Sequence, residues 1–508
     1  MAKQIKAQGL FLGTLLLLIS NIIVKGLGFF YRVALVRLLG AEGIGLVEMV
    51  SPLFSFLIVL AGCGVQPALS QLIAGRGEAE RQLYFRAAFF ILLLGGSLVT
   101  LAALAFSPLL LRHFISDSRA ALCFHTILPA IPIISIASAW RGCFQGMRRV
   151  SALGVSQNAE QAVRVAVGLW LTARLLAAGL ETAVAAASVA TVCGELAGLL
   201  CLVWQMRHSG IRPLATSHTA GELLPAARRL LAYGLPMTAG RLIASAILML
   251  QAFLIPYCLS RAGWDTRAVT EIYGRFSGVA LSLLHLPGVF TAALTVSVLP
   301  AVAESMQDIS SGRMLLQKRI HDSLQAAMVF TLPGMLLLWL YSDPLCTVLF
   351  DNDPAAIILR WLAPGGIFFY LQVTLASVLQ GLGAVRTLLL NSILSGIILL
   401  FGIFWLTSQP TLGILGTALA LDISWLTGFL LHLNACRRLT QIRLNWRDIA
   451  GKPLLATGVS LFIYHLAQPL LVQSILSPAA ARLALCCLIC GTYLLTLLIS
   501  GGLHRLHR

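Results

Sequence analysis

The stretch LFLGTLLLLISNIIVKGLGFFYRVAL, residues 10–35, decides the fold class of this chain. It is an almost unbroken apolar run, and about 20 such residues are enough to cross a bilayer as a helix. Two positive charges, Lys25 and Arg32, lie inside it. A cation near the middle of a spanning helix costs about 2.5–3.5 kcal/mol on insertion scales, so such residues normally face a polar cavity. The stretch therefore predicts a membrane protein with a cationic interior, which suits an anionic cargo.

The composition of the whole chain is that of a polytopic membrane protein. Of its 508 residues, 58% are hydrophobic and 11% are charged, and the mean hydropathy is +0.89. These values exclude a soluble globular protein. The net charge of +17 is explained by basic loops beside an anionic membrane surface. No basic patch with interleaved aromatic residues indicates a nucleic-acid partner.

The apolar runs predict an all-α protein with 14 transmembrane helices. The predicted spans are 10–35, 44–73, 83–106, 121–145, 153–177, 182–206, 230–258, 273–301, 324–350, 357–381, 385–407, 411–436, 450–472 and 480–501. With the amino terminus inside, the cytoplasmic loops and ends hold 22 Lys and Arg residues, and the outer loops and span mouths hold 9. Because basic loops stay on the cytoplasmic side, we expect both termini to be cytoplasmic.

A weak internal repeat predicts two lobes. Pro52 and Pro287 are 235 residues apart, and so are Gln145-Gly146 and Gln380-Gly381. Spans one to six then correspond to spans seven to twelve, as in a transporter with its site between two halves. The predicted domains are an N-lobe at 1–206, a cytoplasmic linker at 207–229, a C-lobe at 230–436, and two further helices with a tail at 437–508.

Four cations are the candidate anion-binding residues. Lys25 and Arg32 are seven residues apart, so they share one helix face. The alternative is that Arg32 reaches the outer interface and Lys25 pairs with a carboxylate. Arg241 in the seventh span and Arg275 at the start of the eighth bring positive charge from the second half, although Arg275 could instead belong to the outer rim.

Four carboxylates are placed within the membrane by the predicted spans: Glu48, Glu160, Glu195 and Asp422. Glu160 and Arg164 are four residues apart, the spacing of an intrahelical ion pair. Glu195 and Asp422 occupy similar places in the two halves, where each is either a proton or sodium site or a hydrogen-bonded packing residue. Coupling or ion-pair roles are therefore predicted for Glu160, Arg164, Glu195 and Asp422. No motif indicates an enzyme, a metal site or a cofactor.

Three motifs in order resemble one family. They are KGLGFFYRVALVRLLGAEGIGL at Lys25–Leu46, WRGCFQGM at Trp140–Met147 and VSQNAEQAVRV at Val155–Val165. They resemble the stage V sporulation protein B family, in the polysaccharide-exporter branch of the multidrug/oligosaccharidyl-lipid/polysaccharide superfamily. That branch is similar to the MurJ-type lipid II flippases.

The resemblance implies a MATE-like fold of two six-helix lobes around a cationic cavity, plus two helices, in a bacterial cytoplasmic membrane. It implies that Lys25 and Arg275 bind the phosphate of a polyprenyl-linked glycolipid, and the places of Arg32 and Arg241 in the predicted spans make them further candidates for the same role. The expected function is to flip an undecaprenyl-linked peptidoglycan or polysaccharide precursor for cell-wall or spore-cortex synthesis. The expected partners are this glycolipid, membrane lipids and cell-wall synthesis enzymes. The family's acidic residue after the second basic position is replaced here by Val33.

Two alternatives remain at this point. The first is a cation-coupled multidrug antiporter of the same superfamily, which would need a carboxylate where this chain has Lys25. The second is a membrane enzyme or an assembly partner in envelope building.

Overall fold

The computed structural model describes residues 2–209, 220–288, 298, 302, 312–442, 444–472 and 478–502. Nearly all of them are helical, and no strand occurs among them. A helix pairs its own backbone N–H and C=O groups, which is what a segment inside lipid requires. The prediction of an all-α polytopic protein is confirmed.

The α-helices follow one another with short connections. In chain order they are α1 (Ala2–Gly62), α2 (Val65–Ile73), α3 (Glu78–Ala105), α4 (Ser107–Phe114), α5 (Ala121–Ile127), α6 (Ala130–Gly146), α7 (Val150–Leu175), α8 (Leu180–His208), α9 (Ala220–Arg261), α10 (Thr266–Gly274), α11 (Leu281–Leu284), α12 (Gly312–Leu340), α13 (Ser342–Phe350), α14 (Ala355–Gly381), α15 (Val385–Gly402), α16 (Ile414–Thr440), α17 (Lys452–Val472) and α18 (Pro478–Ile499). Turns of 3₁₀ helix lie at Ser118–Ala120 and Leu176–Ala178, and π-helical turns lie at Arg275–Ala280, Ile403–Thr407 and Arg447–Gly451.

Twelve segments of the described residues are long and apolar enough to cross a membrane. The first of them, Ser20–Ile73, contains the first two predicted spans, because Gly40 breaks the helix between them with a left-handed φ of 68°. Glycine reaches that conformation without the steric penalty of a Cβ atom. The predicted eighth span, 273–301, begins at the end of α10 and continues outside the described residues. Each other predicted span overlaps one segment, although the ninth, predicted at 324–350, is observed at Met314–Leu340, so the described residues account for 13 of the 14 predicted spans.

The chain divides into two compact units, unit 1 (Met1–Gly278) and unit 2 (Val279–Arg508). Helices α1 to α10 belong to unit 1, and the helices from α11 onward belong to unit 2. The predicted linker at 207–229 lies partly outside the described residues. The division into lobes at 1–206 and 230–436 stays a prediction.

The core of unit 1 is a cluster of buried side chains from α2, α3, α6, α8 and α9. Trp140 on α6 packs edge-on against Phe85 of α3, with ring centroids 5.1 Å apart. Leu69 and Leu230, both fully buried, bring α2 and α9 into the same cluster. On the outer surface of α3 large apolar side chains such as Leu98, which is 70% exposed, face the surroundings, as expected of a lipid-facing helix.

The core of unit 2 lies between α12, α14 and α16, where Leu324, Leu375 and Phe429 are buried. The last two helices, α17 and α18, pack on each other and on α12. Tyr493 on α18 donates a hydrogen bond to the carbonyl of Val329 at 3.0 Å. Helices α17 and α18 are therefore held within unit 2 by buried contacts.

Candidate functional site

The cationic stripe of the first helix lies on α1, before the break at Gly40. Lys25 and Arg32 are separated by two helical turns, about 10 Å along the axis. The Lys25 side chain is exposed, whereas that of Arg32 is 27% exposed. A Cβ atom added at Gly28, between them, would lie 3.5 Å from the amide nitrogen of Gln161. Helix α1 therefore packs closely on α7 between the two cations.

Arg32 is joined to Glu48 and Ser277 in a group that we name the Glu48 triad. Arg32 Nη1 lies 2.5 Å from Glu48 Oε1, and Ser277 Oγ donates to Glu48 Oε2 at 2.6 Å. Only 13% of the Glu48 side chain is exposed. The chain reverses at Gly40, so that the two charged residues on either side of the break face each other. The positive charge of Arg32 is thus compensated by Glu48.

Ser277 reaches Glu48 because the end of α10 packs very closely on the segment around Gly40. A Cβ atom at Gly274 would overlap the carbonyl oxygen of Ala41, and one at Gly45 would overlap that of Thr270. Only glycine permits this approach of two backbones. The π-helical turn Arg275–Ala280 starts immediately afterwards and carries Ser277.

The other two predicted anion-binding cations differ in their surroundings. Arg275 forms an ion pair with Glu271, one turn earlier on α10. Arg241 on α9 is exposed. Within the described part of the chain, neither Arg241 nor Lys25 has a carboxylate within 4 Å. Among the described residues, Lys25 and Arg241 therefore have no carboxylate partner, whereas Arg32 and Arg275 each have one.

Three helices of unit 1 contribute a closed group of two arginines and two glutamates, which we name the ion ring: Arg141, Glu160, Arg164 and Glu195. Arg141 Nη2 lies 2.9 Å from Glu160 and 3.3 Å from Glu195. Arg164 Nη2 lies 2.8 Å from Glu160 and 3.0 Å from Glu195. Each guanidinium thus bridges both carboxylates, and the ring has no net charge.

The ion ring contains the intrahelical pair that the spacing of Glu160 and Arg164 predicts. It also contains Arg141 from α6, which sequence reasoning did not select as a site residue. Each carboxylate is at most 14% exposed, and buried charges are tolerated only when they are paired. The ring therefore ties α6, α7 and α8 together. Whether its members also take part in coupling stays a prediction.

Asp422, the fourth coupling candidate, lies on α16 in unit 2. Its side chain packs against α14 at Gly365, where an added Cβ atom would overlap the carboxyl group. Its Oδ1 is buried and has no hydrogen-bond partner among the described residues. Asp422 thus differs from Glu160 and Glu195, which are both in ion pairs.

A second polar group, the Asp117 cluster, joins the turn at Gly40 to the start of α10. Its members are Glu42, Asp117, Arg119, Arg267 and Thr270. Arg119 lies 2.6 Å from Glu42 and 2.7 Å from Asp117, and Thr270 Oγ1 donates to Asp117 at 2.8 Å. Burial opposes ionisation of the Asp117 carboxyl, but the hydrogen bonds from Arg119 and Thr270 outweigh it and hold the pKa below its usual range. The cluster fastens α10 to α1.

The described residues contain no group of three or more His, Cys, Asp or Glu side chains that could hold a metal ion. The site in unit 1 consists mainly of charged side chains that form ion pairs between helices. Sequence reasoning selected the embedded acid Glu48 but no partner for it. The available signal was that a carboxylate inside an apolar run usually pairs with a cation.

Residues 10–306 match the protein family described as "Polysaccharide biosynthesis protein". The chain belongs to the polysaccharide biosynthesis protein family. It is 29% identical over 464 residues to stage V sporulation protein B of Bacillus subtilis, covering 89% of this chain and 87% of that protein. It is also 23% identical over 454 residues to the lipid II flippase MurJ of the same organism, covering 82% and 81%. The resemblance to the stage V sporulation protein B family is thereby confirmed.

Two solved structures share the fold. The lipid II flippase MurJ in an inward closed conformation superposes with a TM-score of 0.72, at 14% identity, over 97% of this chain and 100% of that one. A multidrug resistance MATE family transporter of the MOP superfamily, inward-facing, gives 0.68 at 16% identity, over 82% and 96%. The chain therefore has the fold that these two transporters share.

Proposed function

We propose that this protein flips an undecaprenyl-linked peptidoglycan precursor of the lipid II type, or a polysaccharide precursor, across the bacterial cytoplasmic membrane. The movement is alternating access between two six-helix lobes, with both termini cytoplasmic, in the service of cell-wall or spore-cortex synthesis. The observation that carries the proposal is Lys25: a cation inside an apolar helix, with no carboxylate within 4 Å among the described residues.

Charge pairing supports an anionic cargo. The embedded acids of unit 1, Glu48, Glu160 and Glu195, all lie in ion pairs with arginines. A cationic drug would therefore find no uncompensated carboxylate among them, whereas a polyprenyl phosphate or pyrophosphate would find Lys25. Lys25 and Arg241 are the proposed first contacts of the phosphate.

Arg32 and Arg275 are proposed to join later, by exchanging an internal carboxylate for a phosphate oxygen. The guanidinium of Arg32 would exchange one charge-assisted hydrogen bond for another of the same kind, while Glu48 keeps the hydrogen bond from Ser277. Guanidinium groups suit phosphate particularly well because their planar N–H groups match two oxygens at once.

A cation-coupled antiporter is the second candidate, because of the shared fold with the multidrug MATE transporter and because of Asp422. We infer that Asp422 is the residue for coupling in either case. The carboxylates of the ion ring are each held by two guanidiniums, and a proton or sodium ion would have to displace them.

The two functions are distinguished by reconstituting the full chain in liposomes and offering both cargoes. Fluorescent lipid II is added to one sample and its transfer between leaflets is measured, and ethidium uptake against a pH or sodium gradient is measured in the other. We expect transfer of lipid II and no gradient-driven uptake of ethidium. The opposite result, with the protein shown to be folded, would replace the flippase proposal by the antiporter.

A further inference from the structure

A cavity of about 650 Å³ lies in unit 1 between the end of α2, the start of α3 and the end of α6. Its apolar wall includes Ile73, Cys143 and Met147. Helices α2 and α6 pack very closely beside this cavity, because a Cβ atom at Gly146 would overlap the side chain of Ile73. The volume falls within the range of small-ligand sites, about 300–1,000 Å³.

Four arginines line this cavity: Arg76, Arg81, Arg148 and Arg149. Glu78 is the carboxylate among the lining residues, and Arg76 forms an ion pair with Glu80 at 3.0 Å. Arg148 and Arg149 are exposed and make no ion pair with any residue that the structure describes. The lining is therefore strongly positive, and two of its guanidiniums are available.

The backbone at Arg148 is unusual for an arginine. Its φ is +58°, in the left-handed region that favours glycine. The same turn recurs 235 residues later at Gly383, with a φ of +72°. Arg148 N–H donates to the carbonyl of Gln145 at 3.0 Å, and Gly383 N–H donates to that of Gln380, also at 3.0 Å. The N–H of the following residue donates to the carbonyl five residues earlier at 2.9 Å in both copies.

The ends of α6 and α14 therefore have the same backbone geometry but different residues. The second half uses Gly383-Ala384, which suits the left-handed turn, and the first half uses Arg148-Arg149. The turn itself does not require arginine, and a left-handed arginine is strained. Backbone conformations of this kind cluster at ligand-binding and active sites. Both side chains reach the cavity.

We propose that this cavity, the Arg148 pocket, is a second anion site that binds a phosphate-bearing ligand outside the Lys25 stripe. On the orientation that the basic loops predict, it opens at the cytoplasmic face, where anionic lipid headgroups and soluble phosphates are both present. Arginine clusters bind phosphate by paired charge-assisted hydrogen bonds, and both sources present the same chemistry. The proposal does not depend on transport, so it is tested by binding.

The experiment compares the full chain with Arg148→Gly. This variant removes one guanidinium and installs the residue that the other half uses in the same turn, so its melting temperature should equal or exceed that of the wild type. Inorganic pyrophosphate is titrated into protein in neutral detergent by calorimetry. In a second arm, melting temperatures are measured in phosphatidylcholine vesicles with and without phosphatidylglycerol.

We expect Arg148→Gly to weaken the binding of one probe by about tenfold, which corresponds to about 1.4 kcal/mol. The control is Arg438→Gln, which removes an exposed arginine at the end of α16 and should leave binding unchanged. Loss of pyrophosphate binding in Arg148→Gly alone would assign a soluble phosphate ligand. Loss of the phosphatidylglycerol effect in that variant alone would assign a lipid headgroup. If neither probe separates Arg148→Gly from the wild type, or if the control loses as much, the proposal is overturned.

Discussion

The ion ring makes a quantitative prediction about the stability of unit 1. Glu195→Gln keeps the shape of the side chain and removes its charge, so that two guanidiniums then face the single carboxylate of Glu160. Glu195 accepts hydrogen bonds from Arg141 at 3.3 Å and from Arg164 at 3.0 Å, and its side chain is 9% exposed. Removing one partner of a buried ion pair costs about 3–5 kcal/mol. Because the glutamine oxygen still accepts one hydrogen bond, we expect about 3 kcal/mol.

The ring also predicts how a second substitution behaves. Arg141→Gln added to Glu195→Gln leaves one arginine and one glutamate, which is again a neutral group. The double variant should therefore cost less than the sum of the single variants, by about 0.5–3 kcal/mol, as for other residues in one network. The free energy of unfolding is measured by titration with sodium dodecyl sulfate in mixed micelles. A cost below 1 kcal/mol for Glu195→Gln, or strictly additive costs in the double variant, would refute the closed ring.

Three further substitutions test other parts of the structure. The pKa of Asp117 is lowered in the folded state. Its contribution to stability is therefore complete above the unfolded pKa of about 3.9 and is lost as the pH falls through the folded pKa. The difference in melting temperature between wild type and Asp117→Asn should stay constant above pH 5 and shrink in stronger acid. Gly274→Ala should lower the free energy of unfolding by about 1–3 kcal/mol, because the new methyl group overlaps the carbonyl oxygen of Ala41. Its control is Gly458→Ala, which should leave the free energy of unfolding unchanged because no atom lies within 4 Å of the new Cβ. Asp422→Asn should leave the free energy of unfolding unchanged or raise it, because the substitution neutralises a buried carboxyl whose Oδ1 has no hydrogen-bond partner among the described residues. A loss of more than about 1 kcal/mol would show that this oxygen does accept a hydrogen bond.

The fold class could be predicted because it depends on the length and polarity of segments, which the sequence displays directly. The spans at 182–206 and 385–407 reappear almost unchanged as α8 and as α15 with its π-helical turn. The ninth span, predicted at 324–350, ends at Leu340 instead, and α13 follows as a separate helix. Its apolar composition continues past Leu340, so hydropathy alone could not locate the break.

The candidate site was predictable only where partners are close along the chain. Glu160 and Arg164 share one helix, and their spacing of four residues is enough to pair them. The partnership of Arg141 with Glu195 joins two helices 54 residues apart, and it requires knowing how α6 and α8 pack. The Arg148 pocket is a mixed case: the repeat of 235 residues aligns Arg148 with Gly383, but the backbone geometry is needed to show that both occupy the same left-handed turn.

Lys25, which has no carboxylate within 4 Å among the described residues, is proposed to bind the phosphate of a lipid-linked cargo. The most direct measurement is the rate at which fluorescent lipid II changes leaflet in proteoliposomes containing the wild type, Lys25→Ala, Lys25→Arg or, as a control, Arg438→Ala. We predict that Lys25→Ala abolishes transfer with its melting temperature unchanged, that Lys25→Arg retains part of it, and that the control equals the wild type. Transfer by Lys25→Ala at the wild-type rate would contradict the claim.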